Sequence, residues 1–247
     1  MKTIHNKVCS LGLLGALALM GTAWPRISFA KPADDQKEND RIRNAGTVLK
    51  EVLNVPDDMP RDLLHKARCV IVLPSVMKAA FVVGGNYGRG VMVCRTGHDF
   101  NGAWGAPTMM ALEGGSVGLQ IGGEATDLVI LVMNNRGTGS LLHSKVKLGA
   151  DASVAAGPKG REAQADTDIN MRAEMLSYSR SRGLFAGINL NGASIRQDKD
   201  ATALLYGKFI PFQSVLSGKA QTPADAKTFL STVQKYSIVA AENKQGD

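Results

Sequence analysis

Cysteines, aromatic residues and long apolar runs are all scarce in this sequence of 247 residues. It has three cysteines and no C-x-x-C spacing, which excludes a thioredoxin-like redox motif and the common zinc patterns. Aromatic residues make up 5% of the chain and the basic residues are scattered, so no stacking platform for nucleic acid is visible. No histidines are spaced as in H-E-x-x-H. We therefore predict no metal, no cofactor and no nucleic-acid partner.

The one long apolar run lies near the N-terminus, at residues 8–23. Lys2 and Lys7 are the charged residues before it, and Ser28 and Ala30 offer small residues at the −3 and −1 positions of a cleavage site. The run is shorter than the roughly 20 residues that a membrane span needs. This order of basic, apolar and small residues predicts a cleaved signal peptide over residues 1–30.

Removing residues 1–30 leaves 217 residues and lowers the formal net charge from +7 to +4. We expect an exported, soluble protein of the periplasm or cell envelope that can associate peripherally with a membrane. Nothing marks a linker, so we predict a single domain over residues 31–240 and a polar tail over residues 241–247.

Two cysteines, Cys69 and Cys94, remain after cleavage, and both lie in apolar runs typical of β-strands. An oxidising compartment allows them to pair. The pattern is equally compatible with a disulfide and with two buried thiols.

The rest of the chain predicts an α+β fold. Apolar residues at helical spacing indicate an amphipathic helix over residues 34–53, and Pro60 predicts the start of a short helix over residues 61–66. Short β-branched runs punctuated by glycine follow, with too little room between them for crossover helices. We predict a mainly antiparallel, glycine-rich sheet curled into a sandwich or barrel-like core, with helices at the C-terminal end. The predicted strands are residues 69–73, 80–83, 91–94, 108–112, 116–121, 128–133, 150–156, 175–179 and 184–195, and the predicted further helices are 141–147, 200–206 and 224–236.

Gly114-Gly115-Ser116-Val117-Gly118 matches the G-x-S-x-G motif of serine hydrolases. That motif requires a strand before the serine and a helix after it. The residues after Ser116 alternate as a strand does, which favours a glycine-rich hairpin over a nucleophile. A hydrolase that uses Ser116 is nevertheless kept as an alternative function.

Residues 84–90 form the densest glycine cluster of the chain. One interpretation is a tight turn between strands that end at Val83 and begin at Val91. The other is an anion-binding loop in which backbone N–H groups and Arg89 hold a phosphate. The segment lacks the P-loop pattern and no helical pattern follows it, so the pattern favours the turn.

Several long motifs, in order, resemble those of the SYLF domain family. They are residues 73–91, 104–107, 114–122, 126–133, 149–158, 178–187 and 205–207, so the resemblance spans most of the chain after the signal peptide. It implies a non-enzymatic, lipid-binding protein, because eukaryotic SYLF domains bind phosphoinositide-containing membranes, and fungal members also associate with actin. An exported bacterial member would meet neither actin nor phosphoinositides, so anionic phospholipid head groups of the envelope are the expected ligand.

The resemblance raises the basic and glycine-rich segments to candidate lipid-binding residues. The candidates are Lys78, Gly84, Gly85, Gly88, Arg89, Gly90, Arg41, Arg43 and Lys50. A second alternative to lipid binding is a structural envelope protein that binds another protein through a sheet edge. The pattern of the first helix favours packing on the core, and whether the helix reaches a membrane instead is left open.

Overall fold

The computed structural model describes residues 33–54, 59–143, 145–158, 173–181, 184–187 and 190–238. All of these lie in one compact unit, Lys31–Asp247. The predicted signal peptide and polar tail lie outside the described residues. Within the described ranges, no helix combines the length and the apolar character that crossing a membrane requires.

Helices frame a sheet that occupies the middle of the chain. In chain order the elements are α1 (Ala33–Asn54), α2 (Arg61–Lys66), β1 (Cys69–Cys94), β2 (Thr108–Val132), α3 (Asn135–Leu141), β3 (Lys145–Lys147), β4 (Val154–Ala156), β5 (Met175–Ser181), β6 (Leu184–Gly187), β7 (Ser194–Gln197), α4 (Lys199–Tyr206), α5 (Phe212–Leu216), a 3-10 turn (Ala224–Ala226) and α6 (Lys227–Ser237).

The described strands form one curled sheet in which β2 is central. β2 pairs with β1 along nearly its whole length, with β7 at its start and with β5 at its end. β3 extends the sheet beyond β7, and β6 pairs with β5. Every pairing is antiparallel except that of β4 with β5. The predicted α+β class with a mainly antiparallel, curled sheet is confirmed.

β1 folds back so that its two ends lie side by side. Cys69 and Cys94 are joined by a disulfide and their Cα atoms are 4.0 Å apart. Gly90 lies against the backbone of Val72, and Gly88 lies against Val76. The absence of Cβ atoms at these two glycines is what allows such close approach of one half of the strand to the other.

The predicted turn over residues 84–90 is therefore wrong. This segment lies inside β1 and pairs with residues 110–116 of β2. The glycines mark a close packing of backbone against backbone, and a contact between residues distant in sequence leaves no local signal. The predicted strands 69–73, 80–83 and 91–94 are parts of this single strand, and 108–112, 116–121 and 128–133 similarly belong to β2, which ends at Val132.

Both faces of the sheet are covered by apolar packing. Along β2, Val129 and Leu131 belong to the cluster on the helical side, whereas Leu128, Ile130 and Val132 belong to the cluster on the other side. All five are at most 2% exposed, as expected for a strand buried on both faces.

The first helix packs on the core. Ile42, Ala45 and Leu49 of α1 are fully buried in the cluster that also contains Phe229 and Val233 of α6. Its apolar stripe is consequently covered by protein. In this structure the first helix therefore packs on the core.

Two predictions of local structure fail near β3. The helix predicted over residues 141–147 is wrong: the helix here is α3, which ends at Leu141, and β3 follows. Asn134 caps α3 by accepting a hydrogen bond from the Gly137 N–H at 3.0 Å. Two glycines and a serine weaken the helical pattern of α3, so the capping residue Asn134 is the more informative signal for where the helix starts. The predicted strand 184–195 divides into β6 and β7, with a turn at Gly192.

Candidate functional site

A groove of about 380 Å³ lies between α1 and the folded-back part of β1. Ten residues line it, four of them from α1 and the others from two short stretches of β1. They are Lys37, Asp40, Arg41, Asn44, Pro74, Ser75, Met77, Tyr87, Gly88 and Arg89. We call this the α1–β1 groove.

A kink in β1 shapes one wall of the groove. The pairing with β2 shifts by one residue between Leu73 and Val76, and Ser75 between them has φ = 55°. The Ser75 N–H donates to a carboxylate oxygen of Asp127 at 2.9 Å, which holds this bulge in place. Arg180 in turn binds both Asp127 and Glu51, so the bulge is tied to α1.

Two large apolar side chains are exposed at the mouth of the α1–β1 groove. Met77 is 57% exposed and Tyr87 is 48% exposed. Lys78, the neighbour of Met77, is exposed as well. Because successive side chains of a strand point to opposite faces, both faces of β1 are open to solvent here. At residues 77, 78 and 87 the strand therefore presents apolar, basic and aromatic side chains to solvent.

Arg89, one of the phosphate candidates of the sequence, is held by two carboxylates. Its Nε donates to Asp198 Oδ2 at 2.6 Å, and its Nη2 lies 3.3 Å from Glu38 Oε1. Burial lowers the pKa of Arg89, but these two carboxylates outweigh it and the net shift is upward. Arg89 thus joins β1 to α1 and to the N-cap of α4, since Asp198 also accepts from the Ala201 N–H at 3.2 Å.

The basic candidates on α1 occupy different places. Arg41 lines the α1–β1 groove and pairs with Glu38, a carboxylate that is 2% exposed. Arg43 pairs with Asp40 at 3.0 Å on the exposed face of the helix. Lys50 is exposed two turns further along. The structure therefore brings Arg41 and Arg89 together and leaves Arg43 and Lys50 outside the groove.

The candidate glycines have structural places in the strand. Gly84 and Gly85 pair with Ser116 and Gly115 of β2. Gly88 and Gly90 serve the close packing of β1 on itself, and Gly88 also forms part of the groove wall. None of the four lies in a turn.

Sequence reasoning missed the residues that make this site distinctive. Met77 and Tyr87 lie within the motif 73–91 but are not among the candidates that the sequence predicts, and neither are Glu38 and Asp198. An exposed aromatic residue between glycines, as in Gly85-Asn86-Tyr87-Gly88, was the available signal. The carboxylates gave none, because their link to Arg89 depends on the fold.

The motif around Ser116 lacks the setting of a nucleophile. Ser116 lies inside β2, opposite Gly84, and the strand continues past it to Val132. A nucleophile elbow requires a sharp turn from strand to helix at this point. Among the described residues, no cluster of three or more His, Cys, Asp or Glu side chains could hold a metal ion.

Other motif residues serve the fold. Trp104 Nε1 donates to Ser237 Oγ at 2.9 Å, which ties the loop after β1 to α6. The Tyr178 hydroxyl donates to the Pro158 carbonyl oxygen at 3.1 Å, and a Cβ at Gly157 would overlap the Tyr178 ring. These contacts explain why the motifs contain tryptophan, glycine and tyrosine at these places.

Comparison with known proteins gives one family and several relatives. A family model described as Ysc84, Las17-binding protein actin regulator, matches residues 113–236. An SH3 domain-containing protein of Schizosaccharomyces pombe is 34% identical over 214 residues, which are 83% of this chain and 49% of the relative. The SH3 domain-containing YSC84-like protein 1 of Xenopus laevis is 34% identical over 208 residues, 79% of this chain and 61% of the relative.

Protein YSC84 of Saccharomyces cerevisiae is 30% identical over 203 residues, 81% of this chain and 42% of the relative. The matched region thus spans about half the length of these relatives. The family model covers half of the chain. The chain belongs to the SYLF (Ysc84) family.

Proposed function

We propose that this protein is a non-enzymatic, peripheral lipid-binding protein that binds anionic phospholipid head groups at the α1–β1 groove. The observation that carries the proposal is the pair of exposed side chains Met77 and Tyr87 next to Lys78 and a groove lined by Lys37 and Arg41. An amphipathic aromatic ring beside basic side chains is a composition suited to the interface between water and lipid.

The groove also determines which charges contribute. Arg89 is neutralised by Glu38 and Asp198, and Arg43 by Asp40. Arg41 also pairs with Glu38, so the attraction to an anionic surface rests chiefly on Lys78, at about 1 kcal/mol for a basic residue near the surface. We expect weak binding that weakens further as salt is added.

The apolar contribution comes from β1 and not from α1. The apolar face of α1 is buried against α6 and the sheet, so insertion of that face would require the core to open. Met77 and Tyr87 are already exposed and can enter the interface without any rearrangement. The proposed binding edge is therefore the part of β1 that carries Met77, Lys78 and Tyr87.

We propose that the protein acts outside the cytoplasm, at the cell envelope. The predicted signal peptide supports this location, and so does the disulfide between Cys69 and Cys94, because disulfides persist in oxidising compartments. The family description of the relatives refers to Las17 binding and actin regulation. For an exported chain we propose lipid in place of those partners.

Co-sedimentation with vesicles tests the proposal. We expect the protein to pellet with vesicles that contain phosphatidylglycerol and not with vesicles of phosphatidylcholine alone, and to be released by added salt. The double variant Met77→Ala/Tyr87→Ala and the single variant Lys78→Ala should each reduce the pelleted fraction.

Matched controls come from exposed residues that do not line the α1–β1 groove. Phe209→Ala removes an apolar side chain that is 68% exposed, and Lys227→Ala removes an exposed charge from α6. Both should bind vesicles as the unchanged protein does. An equal pelleted fraction with phosphatidylglycerol-containing vesicles and with phosphatidylcholine vesicles would contradict the proposal. Recovery of one stoichiometric protein from envelope extracts without lipid would favour a protein partner instead.

A further inference from the structure

A second groove, of about 450 Å³, lies beside the disulfide and carries a concentrated positive charge. Its lining residues are His65, Lys66, Arg68, Arg95, Asn101 and Met133. Three of these carry a permanent positive charge and none is acidic. Among the described residues, no carboxylate forms a salt bridge with Lys66, Arg68 or Arg95.

Arg95 is held rigidly in this groove. It donates to three carbonyl oxygens, those of Ala67 at 3.1 Å, Gly102 at 3.2 Å and His65 at 3.0 Å. Its guanidinium carbon lies 4.4 Å from the centroid of the Trp104 ring. Every one of its nitrogens thus has an acceptor, and the side chain is fixed without any opposite charge.

Arg68 lies next to it and is poorly satisfied. Its Nη1 donates to the Phe100 carbonyl oxygen at 3.3 Å, but its Nε is buried and has no hydrogen-bond partner among the described residues. A buried donor on a charged group is costly when it has no acceptor. Burial, and then the charge of Arg68, lower the pKa of Arg95, so the two guanidinium groups repel each other.

The backbone forces the two arginines together. Arg68 directly precedes Cys69 and Arg95 directly follows Cys94, so the disulfide holds the two residues side by side. The Arg95 N–H also donates to the Arg68 carbonyl oxygen at 2.8 Å. Two like charges are therefore kept in one place by the fold, at a cost that an anion bound between them would remove.

We propose that this groove binds a phosphate group. Two guanidinium groups with a lysine and an amide, Asn101, provide several donors for the oxygens of one phosphate group, whereas a single carboxylate would engage one arginine. The volume is sufficient for the phosphate together with part of the molecule that carries it. This site is separate from the α1–β1 groove, because the two grooves share no lining residue.

The probe for this site is inorganic phosphate. Thermal unfolding and calorimetric titration are measured at constant ionic strength, with sodium chloride replacing phosphate in the reference. We expect phosphate to raise the melting temperature of the unchanged protein. Arg68→Met should weaken phosphate binding by about tenfold or more, and Lys66→Met should weaken it as well.

Stability without phosphate separates a binding site from a structural one. Arg68→Met keeps the length of the side chain but removes the repulsion and the unpartnered Nε, so it should melt no lower than the unchanged protein in chloride. Lys66 is exposed, so Lys66→Met will fold even if Arg68→Met does not. Lys227→Met on α6 is the matched control and should keep the full response to phosphate.

An equal shift of the melting temperature by phosphate in the unchanged protein, in Lys66→Met and in Arg68→Met would overturn the proposal. The absence of any phosphate-specific shift would overturn it as well.

Vesicles that contain phosphatidylglycerol identify the source of the phosphate. Loss of both phosphate and vesicle binding in Arg68→Met assigns the site to a lipid head group, and loss of phosphate binding alone assigns it to a soluble phosphate compound. Met77→Ala/Tyr87→Ala should retain the phosphate response whether or not it still binds vesicles.

Discussion

Gly90 lies directly against the backbone of Val72, so closely that a Cβ at position 90 would come within 2.0 Å of the Val72 carbonyl oxygen. The same Cβ would meet Leu73 Cα at 2.7 Å. Backbone atoms cannot yield as a flexible side chain can. The contact therefore fixes how β1 folds back, and with it the wall of the α1–β1 groove.

Gly90→Ala should consequently destabilise the protein, since the two halves of β1 must separate to admit the methyl group. We expect a loss of about 3 kcal/mol in the free energy of unfolding, at the upper end of the cost of overpacking a core. Urea unfolding at neutral pH measures it. Gly115→Ala is the matched control, because a Cβ at position 115 has no neighbour within 4 Å. Equal midpoints for the two variants would contradict this account of β1.

Arg89→Met should destabilise the protein by removing the charge between Glu38 and Asp198. Glu38 is 2% exposed, so its carboxylate would keep Arg41 as its described cationic partner and lose the other. Loss of one partner of a buried pair costs about 3–5 kcal/mol, and the 28% exposure of Arg89 reduces the expected loss to about 2 kcal/mol.

Arg43→Met is the matched comparison for Arg89→Met, because it removes an arginine from an ion pair on the surface. Arg43 and Asp40 are each 64% exposed, so the variant should change the free energy of unfolding by less than about 0.5 kcal/mol. Both variants are measured by urea unfolding. A loss for Arg43→Met as large as that for Arg89→Met would show that burial is not what gives the Arg89 pair its importance.

Local patterns identified much of the fold. The helical spacing of apolar residues predicted α1 to within one residue at each end, and Pro60 predicted the bounds of α2 without error. The alternation and β-branched content also placed most strand segments correctly. These signals succeed because they depend on neighbouring residues and on which face of an element is buried.

The candidate site was less accessible to sequence reasoning, because its decisive contacts join distant residues. Arg89 was selected as a phosphate ligand for its place in a glycine cluster, but its charge is taken up by Glu38 and Asp198. Arg68 and Arg95 are unremarkable in sequence and become a site only when the disulfide brings them together. Long-range pairing has no local signature, so such sites require the fold.

The carboxylate of Glu113 should make stability depend on pH in acid. It accepts from Arg196 Nε at 2.7 Å and lies 3.3 Å from Lys145 Nζ, which links β2 to β7 and β3. The hydrogen bond from Arg196, with a further one from Lys145, lowers the pKa of Glu113 below its ordinary value of 4.5. A depressed pKa stabilises the fold above the unfolded-state pKa, and this stabilisation is lost as the pH falls through the folded-state pKa.

Glu113→Gln should therefore be less stable than the unchanged protein at pH 7, by about 1 kcal/mol or less because the side chain is one-third exposed. The difference should shrink as the pH falls below about 4.5. Urea midpoints between neutral and acidic pH measure it. A Glu113→Gln deficit that stays constant into acid would exclude the carboxylate as its cause.

The disulfide between Cys69 and Cys94 should contribute to both stability and phosphate binding. It closes a loop across 25 residues, so the double variant Cys69→Ala/Cys94→Ala should lose about 3 kcal/mol of unfolding free energy through the greater freedom of its unfolded chain. The variant should also respond less to phosphate, because Arg68 and Arg95 would no longer be held together. Urea midpoints with and without a reducing agent measure the first effect, and calorimetric titration measures the second. The unchanged protein, once reduced while unfolded, should have the same urea midpoint as the variant. The midpoint of the variant itself should not change with the reducing agent.

Unchanged phosphate affinity in the folded variant would contradict a role for the disulfide in the site. It would mean that hydrogen bonds, such as the one from the Arg95 N–H to the Arg68 carbonyl oxygen, suffice to hold the two arginines together.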